Sequence, residues 1–284
     1  MRESGRPWRE LLSDVRFAVP SWQRHWFTNP QTGVIFQLMS SSRRERFLEI
    51  GHGAGMVSTC LSADYAQGYV LTDHQLWGQF MSERFRADSV QNVEVLRGSP
   101  LAIPLPAKSV DLVALNGALE SAPEASLSLD PREAQIRMLR DVHRCLRPRG
   151  RVVVAARNAW ARSRSVRPAT LERRSDRVTD PDVTRRHATG PVARPRRELL
   201  HSYIGYRRLL HETGFENIRG YVVAPDYYTP IDLYSFDKVG LDSLFARRHA
   251  SSSLRSMAKR LSDALRMTYP GGYFESSFYL VGTK

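Results

Sequence analysis

From Arg46 onward, short apolar runs alternate with stretches of helical spacing. Phe47, Leu48 and Ile50 flank Glu49 in a run that ends in a glycine-rich turn, which predicts a strand over 47–50. A helix over 56–63 follows, then a strand over 68–72 ending at Asp73, and a helix over 75–86. Further apolar runs predict a third strand over 93–96 and a fourth over 110–115. Ile136, Leu139, Val142 and Leu146 recur at three- and four-residue spacing, the mark of an amphipathic helix over 131–146. Asp130 suits its cap and Pro131 its first turn, while Pro148-Arg149-Gly150 stops it before a fifth strand over 151–156. A helix over 203–213 closes on Gly214, a sixth strand runs over 215–223, and 277–281 alternates like a final edge strand.

Strands alternating with helices of this length argue for an α/β domain built on a parallel, doubly wound sheet. Such sheets bind ligands at the carboxyl ends of their strands, near the switch in strand order. Gly51 and Asp73 both fall at such ends. Three stretches lie outside the alternation. Residues 1–45 carry Trp8, Phe17, Trp22, Trp26, Phe27 and Phe36, and read as an aromatic, helical extension. It would pack on the main domain, 46–284, and cap the mouth of its site. Residues 157–198 and 224–275 read as insertions, the second helical over about 250–266.

At 284 residues the chain holds one such domain with additions, and its 42% hydrophobic and 25% charged composition is that of a globular protein. No apolar run approaches the roughly 18 residues that span a bilayer, and the first ten residues lack a signal-peptide core. No transmembrane segment and a cytoplasmic location are therefore expected. Cys60 and Cys145 have no ligand partners at short spacing and read as buried small hydrophobes, so neither a metal site nor a disulfide framework is expected. The net charge of +13 raises nucleic acid as a partner. Nearly all of that charge is Arg, concentrated over 157–208 among Pro, Ser and Thr rather than along one helical face. This lowers the nucleic-acid reading, and an anionic small substrate or a membrane surface would use the same charge.

The turn itself reads Glu49-Ile50-Gly51-His52-Gly53-Ala54-Gly55. A dinucleotide fingerprint needs its third glycine where Met56 stands, so that alternative fails on spacing. E-x-G-x-G-x-G after a strand resembles the class I S-adenosylmethionine (SAM) dependent methyltransferases. So do Leu105-Pro106-x-x-Ser109-Val110-Asp111 before the fourth strand and Leu146-x-Pro148-x-Gly150 before the fifth. The resemblance implies a Rossmann-like seven-stranded sheet with helices on both faces and SAM as the cofactor. It also implies a cofactor site of Glu49, Gly51, His52, Gly53, Gly55, Asp73, Ser99 and Asn116. Asp73 would accept both ribose hydroxyls, or alternatively cap the helix over 75–86. Ser99 takes the adenine position where most relatives have Asp. A narrower resemblance rests on Leu115-Asn116-Gly117-Ala118-Leu119-Glu120, Arg157-Asn158, His187-Ala188-Thr189-Gly190 and 201–215. Those stretches are similar to bacterial methyltransferases found beside polysaccharide and glycosyl-transfer enzymes. The chain departs from them at Arg186, at Ala188 and in the Arg-rich segment before His187.

Methyl transfer from a sulfonium is an in-line displacement whose thioether leaves without a proton, so alignment and desolvation carry much of the rate. A hydroxyl acceptor also needs a base. His187, His201 and Glu120 are the candidates, against a solvated loop residue, a helix-start residue and an exposed cap respectively. Tyr203 and Tyr206 read as packing residues. The sequence lacks the Asn-Pro-Pro-Tyr and Pro-Cys motifs of DNA methyltransferases. The expectation is a SAM-dependent methyltransferase acting on an O or N atom of a small molecule, a sugar or glycosylated intermediate being the favoured acceptor. Its rivals are an RNA methyltransferase gripping phosphates through the Arg-rich insertion, and a non-catalytic partner protein of the same fold.

Overall fold

The computed structural model describes residues 8, 12, 26–40, 43–51, 54–161, 198–248 and 275–284. The alternation appears as an eight-stranded sheet: β1 (Arg46–Gly51), β2 (Gln67–Thr72), β3 (Val93–Arg97), β4 (Val110–Asn116), β5 (Leu146–Arg157), β6 (Glu216–Ala224), β7 (Asp232–Ser235) and β8 (Ser277–Thr283). Their order is β3-β2-β1-β4-β5-β8-β6-β7. Strands β1 to β5 are mutually parallel, while β8 runs antiparallel to both β5 and β6. The order reverses between β1 and β4, where Gly51 pairs with Asn116.

The helices are α1 (Pro30–Leu38), α2 (Met56–Leu61), α3 (Gln75–Ala87), α4 (Ala118–Ser121), α5 (Pro131–Cys145), α6 (Tyr203–Glu212) and α7 (Lys238–Arg248). α5 begins as its sequence asks: the Asp130 side chain accepts from the backbone N–H of Arg132 and Glu133, with Pro131 in the first turn. Its apolar stripe packs beneath one sheet face, with Leu48, Ile50, Val113 and Leu115. On the other face Phe47, Leu112 and Ala114 meet the aromatic extension through Trp8, Trp26, Phe27 and Phe36. The extension is thus part of the core; Phe17 and Trp22 lie outside the described residues.

Asp111, the second residue of β4, has a structural task. Its buried carboxylate accepts the backbone N–H of Glu45 and Arg46 and meets Arg147 Nη1 at 3.2 Å, pinning the start of β1.

Four expectations need correction. The sheet has eight strands, not seven, because the chain turns back after β6 and pairs β7 antiparallel to it. β8 is an interior strand rather than an edge, buried along almost its whole length between β5 and β6. The second insertion contains β7 and α7; the helix expected over 250–266 lies outside the described residues. Cys145 is buried as expected, but Cys60 is only partly so, and burial pushes both thiols up to about 11. Among the described residues no helix is long and apolar enough to cross a membrane.

Candidate active site

A cleft of about 260 Å³ opens where the strand order reverses. Gly51 and Ile50 from β1, Thr72 and Asp73 from the end of β2, and Gly98 and Pro100 after β3 line it. Ala118 and Ser121 close one side, and Phe27, Trp77 and Met81 form an apolar wall.

Glycine is required at Gly51. Its φ is 154°, and a Cβ there would lie 2.2 Å from the carbonyl oxygen of Asn116. The turn continues through Ala54 and Gly55 with positive φ of 50° and 78°. At Gly55 a Cβ would come within 2.8 Å of the Phe85 ring. Glycine at these two positions lets the turn lie against β4 and Phe85, where a Cβ would clash. His52 and Gly53 lie outside the described residues.

Glu49 is fully buried and does not line the cleft. Its Oε2 accepts the Ser58 backbone N–H at 2.7 Å and the Ser58 hydroxyl at 2.5 Å. The N-cap of α2 is Gly55, which has no side chain to offer, so Glu49 reaches across the turn to satisfy an orphan N–H of the helix. Burial raises its carboxyl above the usual range, opposed by the Ser58 bonds and by Arg84. The acid of the motif thus acts on the turn, a correction to its reading as a direct cofactor contact.

Asp73 resolves differently. The N-cap of α3 is His74, without a side-chain cap bond, so the capping role foreseen for Asp73 is not taken up. Asp73 is exposed, lines the cleft and makes no hydrogen bond or ion pair among the described residues. Ser99 faces its own turn, where its hydroxyl accepts from Leu101 N at 3.2 Å; its neighbours Gly98 and Pro100 are the ones lining the cleft. Asn116 is completely buried, and neither its Oδ1 nor its Nδ2 has a hydrogen-bond partner among the described residues. By strand alternation it shares the face of Leu112 and Ala114, the one the aromatic extension covers.

Beyond Asn116 the chain turns through Gly117, φ 71°, into α4. There Glu120 is buried rather than an exposed cap. Its carboxylate accepts from Arg157 Nε and from the Tyr227 hydroxyl, both at 2.9 Å. Arg157 also pairs with Glu198 at 2.7 Å. Burial raises the Glu120 carboxyl and outweighs the opposing pull of Arg157. The Tyr227 phenol is held well above its ordinary value by burial and by the Glu120 charge, so it stays a donor. Trp26 meets Tyr227 and Tyr228 edge-on, at ring-centroid distances of 6.1 and 4.7 Å.

His201 is not in this group. Its Nε2 bonds Gln135 Oε1 at 2.8 Å, and Gln135 in turn donates to the Leu119 and Leu199 carbonyls. Burial, with Arg132 nearby, lowers its pKa. The ring is a buckle between α5 and the start of α6, which accounts for it without a base role. His187 lies outside the described residues. Tyr203 and Tyr206 pack as expected, the first stacked on Phe236 at 3.7 Å.

Sequence reasoning missed Tyr227, Trp77 and Arg84. Only Arg84 carried a signal, as a cation within the apolar stripe Phe80, Met81 and Phe85 of α3.

Residues 48–154 match the family described as a methyltransferase domain, so this part of the chain is a methyltransferase domain and SAM is its methyl donor. The cleft fits that group in its own chemistry. It offers the exposed Asp73 carboxylate, glycine backbone at Gly51 and an apolar wall; the Asn116 carboxamide, in register with Gly51, is buried without a hydrogen-bond partner among the described residues. Solved structures with the same fold include a SAM-dependent methyltransferase from Thermotoga maritima, described as a possible histamine N-methyltransferase. It is 13% identical, with 98% of each chain covered and a TM-score of 0.53. Another is a SAM-dependent methyltransferase from Archaeoglobus fulgidus, 12% identical over 90% of this chain and 95% of that one, TM-score 0.53. A methyltransferase structure from Bacillus halodurans is 11% identical over 90% and 99%, TM-score 0.50. At such identities the likeness concerns the fold, which is the Rossmann-like class I methyltransferase fold. No curated protein matches the chain. The sugar acceptor and the polysaccharide association draw no support from these comparisons.

Proposed function

We propose that the chain transfers a methyl group from SAM to an O or N atom of a small molecule, with Asp73 holding the cofactor ribose. The observation that carries this reading is the Asp73 carboxylate, which ends β2, lines the cleft and has no structural task. A carboxylate there can accept from two vicinal hydroxyls at once. In the same reading Gly51 lets backbone approach the methionine part, the Gly98–Pro100 segment and Leu71 flank the adenine, and Asn116 supplies polar contacts at the buried end. Glu49 contributes by holding the turn.

When bound, SAM supplies an electrophilic methyl group on a positively charged sulfur. The protein's task is to align an acceptor and exclude water. Phe27, Trp77 and the aromatic group around Trp26 provide apolar cover, and their closeness favours a small acceptor over a polymer. Glu120 is the residue we assign to the acceptor proton. Its raised carboxyl is suited to proton exchange nearer neutrality than an exposed one. Arg157 and Tyr227 orient it. A sugar hydroxyl remains within this class of acceptor. The RNA reading needs the Arg-rich insertion as a phosphate clamp.

Methyl-labelled SAM, incubated with panels of small hydroxyl and amine compounds and separately with RNA, tests the proposal. Label in a small-molecule product, lost in Glu120→Gln while SAM binding persists, is the expected result. Label only in RNA, falling steeply with salt, overturns it.

A further inference from the structure

Arg84 is the largest fully buried side chain of the chain's described core, and it stands on α3 among apolar neighbours. A guanidinium so placed persists only where its charge and donors are met. Its Nη1 donates to the carbonyls of Phe27 at 3.0 Å and Ala54 at 2.9 Å. Its flat face lies 4.2 Å from the Trp8 ring centroid. Asp88, one turn on, supplies the counter-charge at ion-pair distance, its Oδ2 3.6 Å from Arg84 Nε, while its Oδ1 accepts from Trp8 Nε1 at 2.8 Å.

The two carbonyls are far apart in sequence, yet both belong to residues that line the cofactor cleft. Phe27 is the aromatic wall, packed edge-on to Trp77 at 5.4 Å. Ala54 belongs to the glycine-rich turn, where its φ of 50° is a conformation a non-glycine residue adopts only when held. We infer that Arg84 is the positioning residue of the cofactor cleft, one guanidinium fixing the gap between the glycine-rich turn and the N-terminal aromatic wall. It never meets the cofactor; it acts through Phe27 and Ala54. Arginine is needed because its planar head can bond carbonyls at its edge while its face stacks on Trp8. A lysine ammonium has donors enough for both carbonyls but offers no flat face to Trp8. The N-terminal extension therefore belongs to the cofactor site, and a ligand that grips both walls strengthens its docking.

This inference rests on the cleft being the SAM site. The test is calorimetric titration of SAM into the full chain and into Arg84→Met, Arg84→Lys and Asp88→Asn, well below every variant's melting temperature. Under those conditions a loss of global stability leaves the dissociation constant unchanged, whereas a mis-set cleft raises it. The expected result is a rise of at least about tenfold for Arg84→Met, with Arg84→Lys and Asp88→Asn in between. A folded Arg84→Met that binds within twofold of the parent overturns the inference. Should that variant not fold, Arg84→Lys and Asp88→Asn decide, and parental affinity in both overturns it. A parent chain that binds no SAM at near-millimolar concentration sinks the cofactor reading instead, a different outcome from either.

Discussion

Replacing Asp73 by Ala separates cofactor binding from folding more cleanly than any other change at this site. The residue is exposed, makes no bond among the described residues and sits one position before the N-cap of α3. Its contribution to stability reduces to its charge near the helix N-terminus, about 0.3–1 kcal/mol. For a chain of this size that is a fall in melting temperature of at most about 4 °C. Against cofactor, a carboxylate accepting two hydroxyl hydrogens would contribute roughly 1.5–3 kcal/mol per bond if fully buried. Solvent access at Asp73 cuts this heavily, and about 1.4 kcal/mol in total, or tenfold in affinity, is the least that a real grip predicts. Asp73→Asn keeps one acceptor oxygen and should fall between parent and Asp73→Ala. Calorimetry with SAM at 25 °C and physiological salt reads the affinity, and thermal unfolding reads the stability. An Asp73→Ala chain with parental affinity would refute the ribose assignment. Unchanged affinity joined to a melting temperature lower by about 4–8 °C, the loss of a helix cap, would restore the capping role.

Gly51→Ala should destabilise the fold by about 3 kcal/mol in denaturant unfolding, because the added Cβ meets the rigid Asn116 carbonyl rather than a movable side chain. A change under about 0.5 kcal/mol would mean that β1 and β4 part easily at their ends. Asp111→Ala leaves two backbone N–H groups and one arm of Arg147 without their buried acceptor, and should cost about 2 kcal/mol or more with little effect on SAM affinity. Burial holds the Glu49 carboxyl above its ordinary 4.5 in the fold, so the native state binds that proton more tightly than the unfolded chain. Its contribution is therefore fully present below pH 4.5 and lost as pH rises through the folded-state value. Glu49→Gln should flatten the decline of unfolding free energy over that window; parallel pH curves for parent and variant would contradict the assignment.

The sequence made β1 to β5 legible because each is an apolar run bounded by turn residues, and Asp73 legible because it ends one of them. β8 misled for a physical reason. Ser277, Phe278, Tyr279 and Leu280 alternate like a strand with one wet face, yet all four are buried. Tyr279 packs on Phe36 at 5.5 Å, and its hydroxyl finds the Tyr227 carbonyl. β7 escaped because four half-exposed residues carry almost no periodicity. Glu120 could be read as exposed because its partners, Arg157 and Tyr227, lie 37 and 107 positions away. The motif acid Glu49 was legible as a residue but not as a role, since only the structure brings it to Ser58. Arg84 is the reverse case, conspicuous in an apolar stripe but with both carbonyl partners distant in sequence.

The two faces of the sheet divide the labour. Under α5 the buried strand residues Leu48, Ile50, Val113 and Leu115 are apolar, and Ile50 reaches the cleft as well. On the other face β1 and β4 each carry a buried polar residue towards the carboxyl end, Glu49 and Asn116. Glu49 is satisfied by Ser58; Asn116 is satisfied by nothing among the described residues. An unpaired buried amide costs about 1–3 kcal/mol, and an apolar residue of similar size would remove that cost without disturbing the strand. Its placement at the switch point, beside a glycine that admits no side chain, is what a polar ligand group would answer. The aromatic extension covers the same face, and its Phe27 also lines the cleft. The cleft and the N-terminal cover meet in Phe27, a core residue that also lines the cleft, so substitutions there should weaken both the fold and cofactor affinity.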